Sequence, residues 1–384
     1  MSKRIIILII GLIALISISS FAVYQYVQEQ NKKAEMVYTV VNNESREISQ
    51  PYYKSWEQTV TLGAIGDILI HDWVYEDAQK GNDYDFKPMF QYIKPTLLKP
   101  DVLVANQETV LGGTEIGLSS YPTFNSPYEV GDALIDSGVD IVTTANNHTL
   151  DRGEKAIMNA IAYYERVGLP YVGHFKDFED QQKLRILNVK GIKFAFLAYT
   201  YGTNGIPVPP GKEYLVNLID TDVMKEEIER AKKEADVIVM NIHWGNEYQR
   251  YPSTQQKELA KELAEYGVDI IIGHHPHVLQ PMEWIENGDR KTFVIYSLGN
   301  FLSGQMWDYK DIGGMIQLEV TKKVENNKTT IEIFNPEFYP TYVSNKKLST
   351  YRIVPLQNAG DFGLKNAKAT YEEIMKHMFQ WIEE

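Results

Sequence analysis

The sequence contains no cysteine, and this absence removes several classes of chemistry at once. Disulfide bonds, zinc–thiolate sites, cysteine nucleophiles and a lipid-modified N-terminal cysteine are all excluded. Any metal ion must therefore be held by histidine, aspartate, glutamate or asparagine side chains, which favours the harder cations.

The sequence also lacks an excess of basic residues. Its 38 lysines and arginines are outnumbered by 51 aspartates and glutamates, so the formal net charge is −13 at pH 7. A nucleic-acid-binding protein needs a basic surface that neutralises phosphates, and we therefore predict no nucleic-acid partner. The composition, 44% hydrophobic and 23% charged, is that of a globular protein with a sizeable core.

No linker rich in proline, glycine or serine occurs after about residue 60, and there is no internal repeat or low-complexity tract. Domain boundaries usually fall in such linkers. We therefore predict a single large domain over residues 59–384.

One long apolar run is present, and it lies at the N-terminus. Lys3 and Arg4 precede a run that extends from Ile5 to Val27. This length is close to the ~20 residues that cross a bilayer, and the two cations favour an N-terminus on the inside. We predict a single-pass membrane anchor over residues 1–28, with the bulk of the chain extracytoplasmic. Residues 29–58 are polar and are predicted to be a stalk.

A cleaved signal peptide is the alternative for this segment. Ser20-Phe21-Ala22 offers a small-x-small cleavage pattern, which would leave a secreted protein. The apolar run continues past that point as far as Val27, which favours the anchor. Either interpretation places the domain outside the cytoplasm.

From residue 59 onward, strand-like and helix-like segments alternate. This alternation predicts largely parallel strands covered by helices. The runs predicted to be such strands are Thr59–Ile65, Asp101–Ala105, Val139–Thr144, Asp236–Ile242 and Val268–Ile272. The helical patterns are Tyr128–Ser137, Glu154–Val167, Val223–Glu234, Thr254–Tyr266 and Thr370–Ile382.

Other segments have the pattern of antiparallel hairpins, in which two short apolar runs flank a turn. Asn287-Gly288 is the strongest of these turn signals. We therefore predict an α/β fold with mixed sheets. The predicted hairpins are Leu184–Val189 with Ile192–Tyr199, Trp284–Glu286 with Phe293–Tyr296, and Gly314–Val320 with Thr330–Phe334.

Each of the five parallel-type strands is followed by residues that can bind a metal. The carboxyl ends of parallel strands open into one crevice, so these residues should converge. Three imidazoles within four residues are costly to bury unless they bind something. The sequence therefore predicts a metal site. Its candidate residues are Asp67, Glu108, Asn147 with His148, His243, and the histidines of Gly273–His277.

Each motif also has a simpler interpretation when taken alone. A Gly-Asp pair is often only a turn, and Glu108 could be a charged side chain in solvent. His243 could be a partly buried histidine whose ring nitrogens have ordinary hydrogen-bond partners. Carboxylate, amide and imidazole ligands together suit divalent Mn, Fe, Zn or Mg. A carboxylate can bridge two such ions about 4 Å apart, and the pair can activate water and hold a phosphate. We therefore predict one or two divalent ions.

As a set, the motifs resemble the CapA family of bacterial capsule proteins, also called PgsA, over residues 61–302. The resemblance implies a metallophosphoesterase-like, calcineurin-like fold: a sandwich of two mixed sheets flanked by helices. It also implies a part in capsule synthesis, in particular poly-γ-glutamate synthesis and export, beside other membrane subunits and an anionic cell-surface polymer. The motifs are Gly66-Asp67, Asn106–Glu108, Ala145–Gly153, His243–Tyr248, Gly273–Gln280 and Tyr296–Phe301.

The resemblance further implies individual roles. Asp67 is expected as the first metal ligand, Glu108 as a bridging carboxylate and Asn147 as a ligand of a second ion. His148 is expected to be the catalytic histidine, with Asp151 orienting it. The remaining imidazole ligands are expected to be His243, His274 and His277. Possible pocket residues are His275, Glu247 and Asn300, of which Asn300 is a candidate substrate contact.

Two departures from the usual phosphoesterase pattern bear on activity. Leu69 stands where a histidine of the first motif is expected, His71 lies too far along the chain to replace it, and Glu108 stands where the enzymes have aspartate. Three functions therefore stay open. The chain could be an accessory component of capsule synthesis, a free-standing metal-dependent hydrolase of a phosphoester or a polymer amide, or a scaffold with a structural metal.

Overall fold

The computed structural model describes residues 55–326 and 328–382. The predicted anchor and nearly all of the predicted stalk lie outside these residues. None of the helices within them combines the length and apolar character required to cross a membrane.

The described chain alternates strands and helices. The strands are β1 (Trp56–Leu69), β2 (Gln79–Lys80), β3 (Asp83–Tyr84), β4 (Val102–Gln107), β5 (Ile141–Thr143), β6 (Tyr171–Val172), β7 (Arg185–Val189), β8 (Ile192–Thr200), β9 (Val237–His243), β10 (Ile270–His274), β11 (Leu279–Asn287), β12 (Arg290–Leu298), β13 (Asn300–Ser303), β14 (Ile312–Glu325), β15 (Lys328–Ser344) and β16 (Arg352–Pro355). The helices are α1 (Asp72–Ala78), α2 (Lys87–Phe90), α3 (Lys94–Leu97), α4 (Glu129–Asp136), α5 (Gly153–Val167), α6 (Phe178–Gln181), α7 (Thr221–Glu234), α8 (Thr254–Tyr266) and α9 (Ala367–Phe379).

Two mixed sheets organise these elements. The first has the order β16-β15-β14-β1-β4-β5-β6, with β13 pairing beside the carboxyl end of β1, and the second has the order β11-β12-β10-β9-β8-β7. In the first sheet, β1, β4, β5 and β6 are parallel and extend to one edge, and β14, β15 and β16 form an antiparallel half. In the second sheet, β12, β10, β9 and β8 are parallel, and β11 and β7 are the antiparallel edge strands. The predicted α/β fold with mixed sheets and the three predicted hairpins are confirmed.

Alternating side chains of the second sheet face two different layers. On β9, Val239 packs in the core cluster that contains Leu62 of β1, whereas its neighbour Met240 packs in a second cluster with Met224 of α7 and Leu263 of α8. Successive strand side chains point to opposite faces, so one face meets the first sheet and the other is covered by helices. This arrangement explains why the strands are nearly continuous apolar runs.

Helix ends agree with the sequence signals. Helix α8 begins with a capping box between Ser253 and Gln256 and ends at Gly267 in the left-handed region, φ 103°. The β1, β14 and β15 strands are longer than predicted, since β1 already begins at Trp56, which pairs with Val324. Their extra length depends on pairing between distant segments, which the local apolar pattern does not reveal.

A repeated aspartate contact fixes the register of the parallel strands. An aspartate directly before each of β4, β5, β9 and β10 makes two hydrogen bonds with one residue of the preceding strand in its sheet. Its own N–H donates to that residue's carbonyl, and its carboxylate accepts from that residue's N–H. The pairs are Asp101 with Thr61, Asp140 with Leu103, Asp236 with Lys193 and Asp269 with Ile238.

Replacing Asp269 tests this contact. Asp269→Ala removes the acceptor that lies 2.8 Å from the buried Ile238 N–H and the partner of Arg290 at 2.7 Å. We expect a loss of about 2 kcal/mol in the free energy of unfolding, measured by urea denaturation, because a buried donor loses its acceptor. Asp289→Ala, at an exposed hairpin turn, is the control. Equal stability of the two variants would contradict the assigned role.

Candidate metal centre

The carboxyl ends of strands from both sheets meet at one edge of the molecule. Asp67 lies within β1 near its end, Glu108 follows β4, and Asn147 follows β5, while His243 and His274 end β9 and β10. All five side chains are at most 2% exposed. The structure thus brings the predicted ligands from five separate segments into one buried cluster.

The first group of donors is formed by Asp67, Glu108 and His277, whose ligand-type atoms lie within 4.8 Å of one another. His277 Nδ1 lies 3.2 Å from Asp67 Oδ2, and His277 Nε2 lies 3.7 Å from Glu108 Oε1. Two carboxylates and one imidazole therefore surround the same small volume.

The second group contains Glu108, His243 and His275, again within 4.8 Å of one another. His243 Nε2 lies 3.5 Å from Glu108 Oε1 and 2.8 Å from Asn147 Oδ1. Glu108 belongs to both groups, which is the placement that a bridging carboxylate requires.

The structure places His275 in a donor group and leaves its neighbour His274 outside all of those in the described part of the chain. His275, predicted only as a possible pocket residue, lies in the second donor group. His274, predicted as a ligand, instead has its Nδ1 3.4 Å from Asp67 Oδ1 and joins none of the three donor groups found among the described residues. The backbone is left-handed at His275 (φ 97°) and His277 (φ 58°). These turns set the direction of each ring, and residue spacing alone cannot supply that direction.

Burial and mutual charge shift the cluster's pKa values apart. Burial opposes ionisation of Asp67, but its close contact with His274 and its hydrogen bond with His277 outweigh burial and hold the pKa of Asp67 well below its usual range. Burial raises the pKa of Glu108 well above its usual range. Burial lowers the pKa of His243 strongly and that of His275 to about 3. Burial also opposes charge on His277, but the negative charge of Glu108 and the contact with Asp67 raise its pKa to about 9.

Several buried polar atoms of the cluster have no hydrogen-bond partner among the described residues. Both carboxylate oxygens of Glu108, His243 Nδ1 and His275 Nδ1 are in this state. An unpaired buried carboxylate is strongly unfavourable in a protein interior. Buried charges are normally paired or coordinate metals, and this mixture of carboxylate, amide and imidazole donors fits a divalent cation.

The position of Asp67 depends on close backbone packing. Its N–H donates to Gly299 O at 2.8 Å, and Asn106 Nδ2 donates to its Oδ1, also at 2.8 Å. A Cβ on the preceding residue, Gly66, would lie only 2.0 Å from Gly299 O. Glycine at position 66 is therefore required for this approach.

A histidine–aspartate pair lies beside the cluster. His148 Nδ1 lies 2.7 Å from Asp151 Oδ2, which also accepts from Phe124 N–H at 2.7 Å. Both side chains are buried, with His148 5% and Asp151 8% exposed. The Asp151 carboxylate fixes the orientation of the His148 ring, and Nε2 is the ring nitrogen that remains available for proton transfer.

The missing first-motif histidine has no direct replacement among the described residues. Leu69 is buried, and His71 joins none of their donor groups. Its ring stacks on Trp73 and contacts Phe124, whose ring in turn contacts His148. Burial lowers the pKa of His71 to about 4, so the ring supports the His148 side of the site as a neutral group.

The two remaining predicted pocket residues lie in different environments. Glu247 is exposed, and its carboxylate lies within 4.8 Å of nitrogens of His275 and His277. Asn300 is fully buried, and its Oδ1 accepts from His277 Nδ1 at 3.1 Å. Its Nδ2 donates to Gln305 Oε1 and Lys310 O. Asn300 therefore lies in contact with a histidine of the cluster.

Residues from two further strands reach the same edge. β8 runs parallel to β9, and β12 runs parallel to β10, although the sequence predicted both only as hairpin strands. Their carboxyl ends deliver Tyr201 and Asn300. Asn204, in the loop after β8, accepts from Asn147 Nδ2 at 3.2 Å. Tyr201 could have been found by applying the strand-end rule to β8, whereas no sequence signal marks Asn204.

Comparison with known proteins gives consistent results. The model of the family described as bacterial capsule synthesis protein PGA_cap matches residues 61–305. The capsule biosynthesis protein CapA of Bacillus anthracis is 31% identical over 275 residues, covering 68% of this chain and 64% of that protein. The PGA biosynthesis protein CapA of Bacillus subtilis is 28% identical over 324 residues, covering 79% of each chain.

Among solved structures, a Staphylococcus aureus protein assigned as a 5′-nucleotidase matches at a TM-score of 0.44 and 12% identity, over 83% of this chain and 58% of that chain. A likeness this distant supports no inference about activity. The family match, by contrast, spans well over half of the sequence and includes every motif from Gly66 to Phe301. The chain therefore belongs to the PGA_cap family of bacterial capsule synthesis proteins, the CapA family.

Proposed function

We propose that this chain is an extracytoplasmic, membrane-anchored component of capsule synthesis and export, with poly-γ-glutamate as its polymer, and that its domain binds one or two divalent metal ions. Membership of the family supports the capsule role, as do the relatives named for capsule and PGA biosynthesis. The N-terminal apolar run supports anchoring beside other membrane subunits.

One observation carries the metal proposal. The Glu108 carboxylate is fully buried, has no hydrogen-bond partner among the described residues, and belongs to two donor groups. Asp67 and His277 would hold an ion on one side of it, and Asn147, His243 and His275 on the other. A bound divalent cation would supply an activated water and polarise the bond to be cleaved.

A second candidate function is a metal-dependent hydrolase of a phosphoester or a polymer amide, as in metallophosphoesterases. The His148–Asp151 pair favours it, because a structural metal site has no use for an oriented imidazole. In such a reaction Asp151 would hold His148 in one tautomer, and His148 would donate a proton to the leaving oxygen or nitrogen. Leu69 stands where the first motif of these enzymes has a histidine. The group of donors around Asp67 therefore has one imidazole fewer, which disfavours high turnover.

Metal content tests the proposal directly. We expect the purified full-length protein to contain one or two equivalents of a transition metal by elemental analysis, and Glu108→Gln to lose most of it because both donor groups lose their shared oxygen. His377→Gln, which changes a histidine outside the cluster, is the control. Absence of bound metal after loading with Mn²⁺, Fe²⁺ or Zn²⁺, in a protein with native circular dichroism, would overturn the proposal.

Asn300 provides a sharper test, because it touches His277 without belonging to a donor group. Asn300→Leu removes the acceptor 3.1 Å from His277 Nδ1, and we expect metal affinity to fall about 10–100-fold. Gln305→Ala loosens the same loop but keeps that bond, so its affinity should stay near that of the unaltered protein. Equal losses in both variants would assign Asn300 a role in loop packing alone.

His148→Gln separates the two candidate functions. If hydrolysis occurs at the site, the variant should keep its metal while cleavage of bis(p-nitrophenyl) phosphate falls roughly 10²–10⁴-fold, because a proton donor is lost. Capsule production should be measured in parallel in a strain deleted for the gene. Full capsule with His148→Gln but none with Glu108→Gln would favour a non-hydrolytic accessory role, and loss of capsule in both would favour the hydrolase.

A further inference from the structure

A cavity of about 410 Å³ opens beside the metal centre, on the side of β9 and α8. Its volume lies within the range of small-ligand sites. None of the nine residues that line it is charged. They include the ring of Tyr201, the aliphatic Ile219 and Leu259, and the amides of Asn246 and Gln255. In a chain with a net charge of −13, a cavity without a charged side chain is a distinct environment.

Tyr201 forms the wall between this cavity and the metal centre. Its ring centroid lies 4.7 Å from that of His275 and 6.5 Å from that of His243, and its plane is within 6° of the His243 ring. The side chain is nevertheless 48% exposed. A ligand resting on the free part of this ring would therefore lie one side chain away from the predicted metal ligands.

The lining offers no cationic side chain to an anionic ligand. A carboxylate that enters the cavity would lose water without gaining a cationic partner, which is unfavourable. A γ-linked glutamate chain carries one carboxylate per residue, and the lining provides no cationic side chain for any of them.

The lining suits a neutral, hydroxyl-rich ring. A sugar ring presents an apolar face of C–H bonds, which an exposed aromatic face can cover, and a rim of hydroxyl groups. Amide side chains such as those of Asn246 and Gln255 can both donate to and accept from such hydroxyls. An exposed tyrosine ring contributes contact area at low conformational entropy cost.

We propose that this cavity is a sugar-binding subsite, which presents a neutral glycan unit to the metal centre. The substrate class of the centre would then be a bond attached to a glycan, such as an ester or amide on a sugar of the cell surface. This assignment rests on the proposed function only for the chemistry at the metal. The cavity itself would bind sugar whether or not metal is present.

The test is calorimetric titration of the metal-free full-length protein with the neutral tetrasaccharides chitotetraose, cellotetraose and maltotetraose, and with γ-linked tetraglutamate. We expect at least one tetrasaccharide to bind and tetraglutamate to fail. Tyr201→Ala should weaken sugar binding at least tenfold, whereas Tyr201→Phe should retain it. Tyr251→Ala is the control, because Tyr251 is 54% exposed but packs against His377 and Trp381 instead.

Three results would overturn the assignment: no binding of any tetrasaccharide, unchanged binding by a folded Tyr201→Ala variant, or binding of tetraglutamate that Tyr201→Ala abolishes. Each is independent of metal content. Failure of the subsite with metal present would leave the metal proposal standing, and sugar binding by a protein that takes up no metal would do the reverse.

Discussion

The candidate site depends on the register of parallel strands in two different sheets. A shift of one residue in any of these strands would turn its ligand side chain toward the opposite face. Four aspartates at strand beginnings fix that register, each through two hydrogen bonds to one residue of the preceding strand. The strands β4, β5, β9 and β10 begin directly after these aspartates and carry ligand-type residues at or beyond their other ends. The contacts lie far from the cluster, yet they determine whether Glu108 and His243 can meet.

The cluster formed in this way is electrostatically unfavourable by itself. Asp67 and Glu108 are fully buried next to four histidines. Burial raises the pKa of Glu108, whose oxygens accept no hydrogen bond from the described residues, whereas contacts with two imidazoles outweigh burial and lower the pKa of Asp67. Despite burial, the contacts of His277 with Glu108 and Asp67 raise the pKa of His277 to about 9, which favours its protonated form. A divalent ion would replace this proton with a larger charge and satisfy the unpartnered oxygens of Glu108. The same features that destabilise the metal-free cluster thus favour binding of a cation.

The sequence was informative where a local pattern carries the structure. Apolar runs locate the parallel strands, and the strand-end rule by itself selects Asp67, Glu108, Asn147 and His243. It was less informative where a side chain's direction depends on backbone conformation or on distant pairing. The left-handed turns at His275 and His277 decide which imidazole of the loop enters a donor group. Likewise, β8 is both a hairpin strand and a parallel neighbour of β9, and only the second relation brings Tyr201 to the site.

The charged cluster of carboxylates and imidazoles and the uncharged cavity lie on opposite sides of Tyr201. On one side of Tyr201 lie the buried carboxylates and imidazoles, where a metal ion would provide the positive charge for an anionic group. On the other side lies a cavity with amides and an aromatic ring but no charged lining residue. A substrate that bridges the two needs an anionic or polarised bond at the metal and an uncharged unit beside it. A uniformly charged polymer meets only the first condition. The capsule role and the substrate of the metal centre are therefore separate questions, because a protein can serve the assembly of one polymer while its site acts on a bond in another molecule.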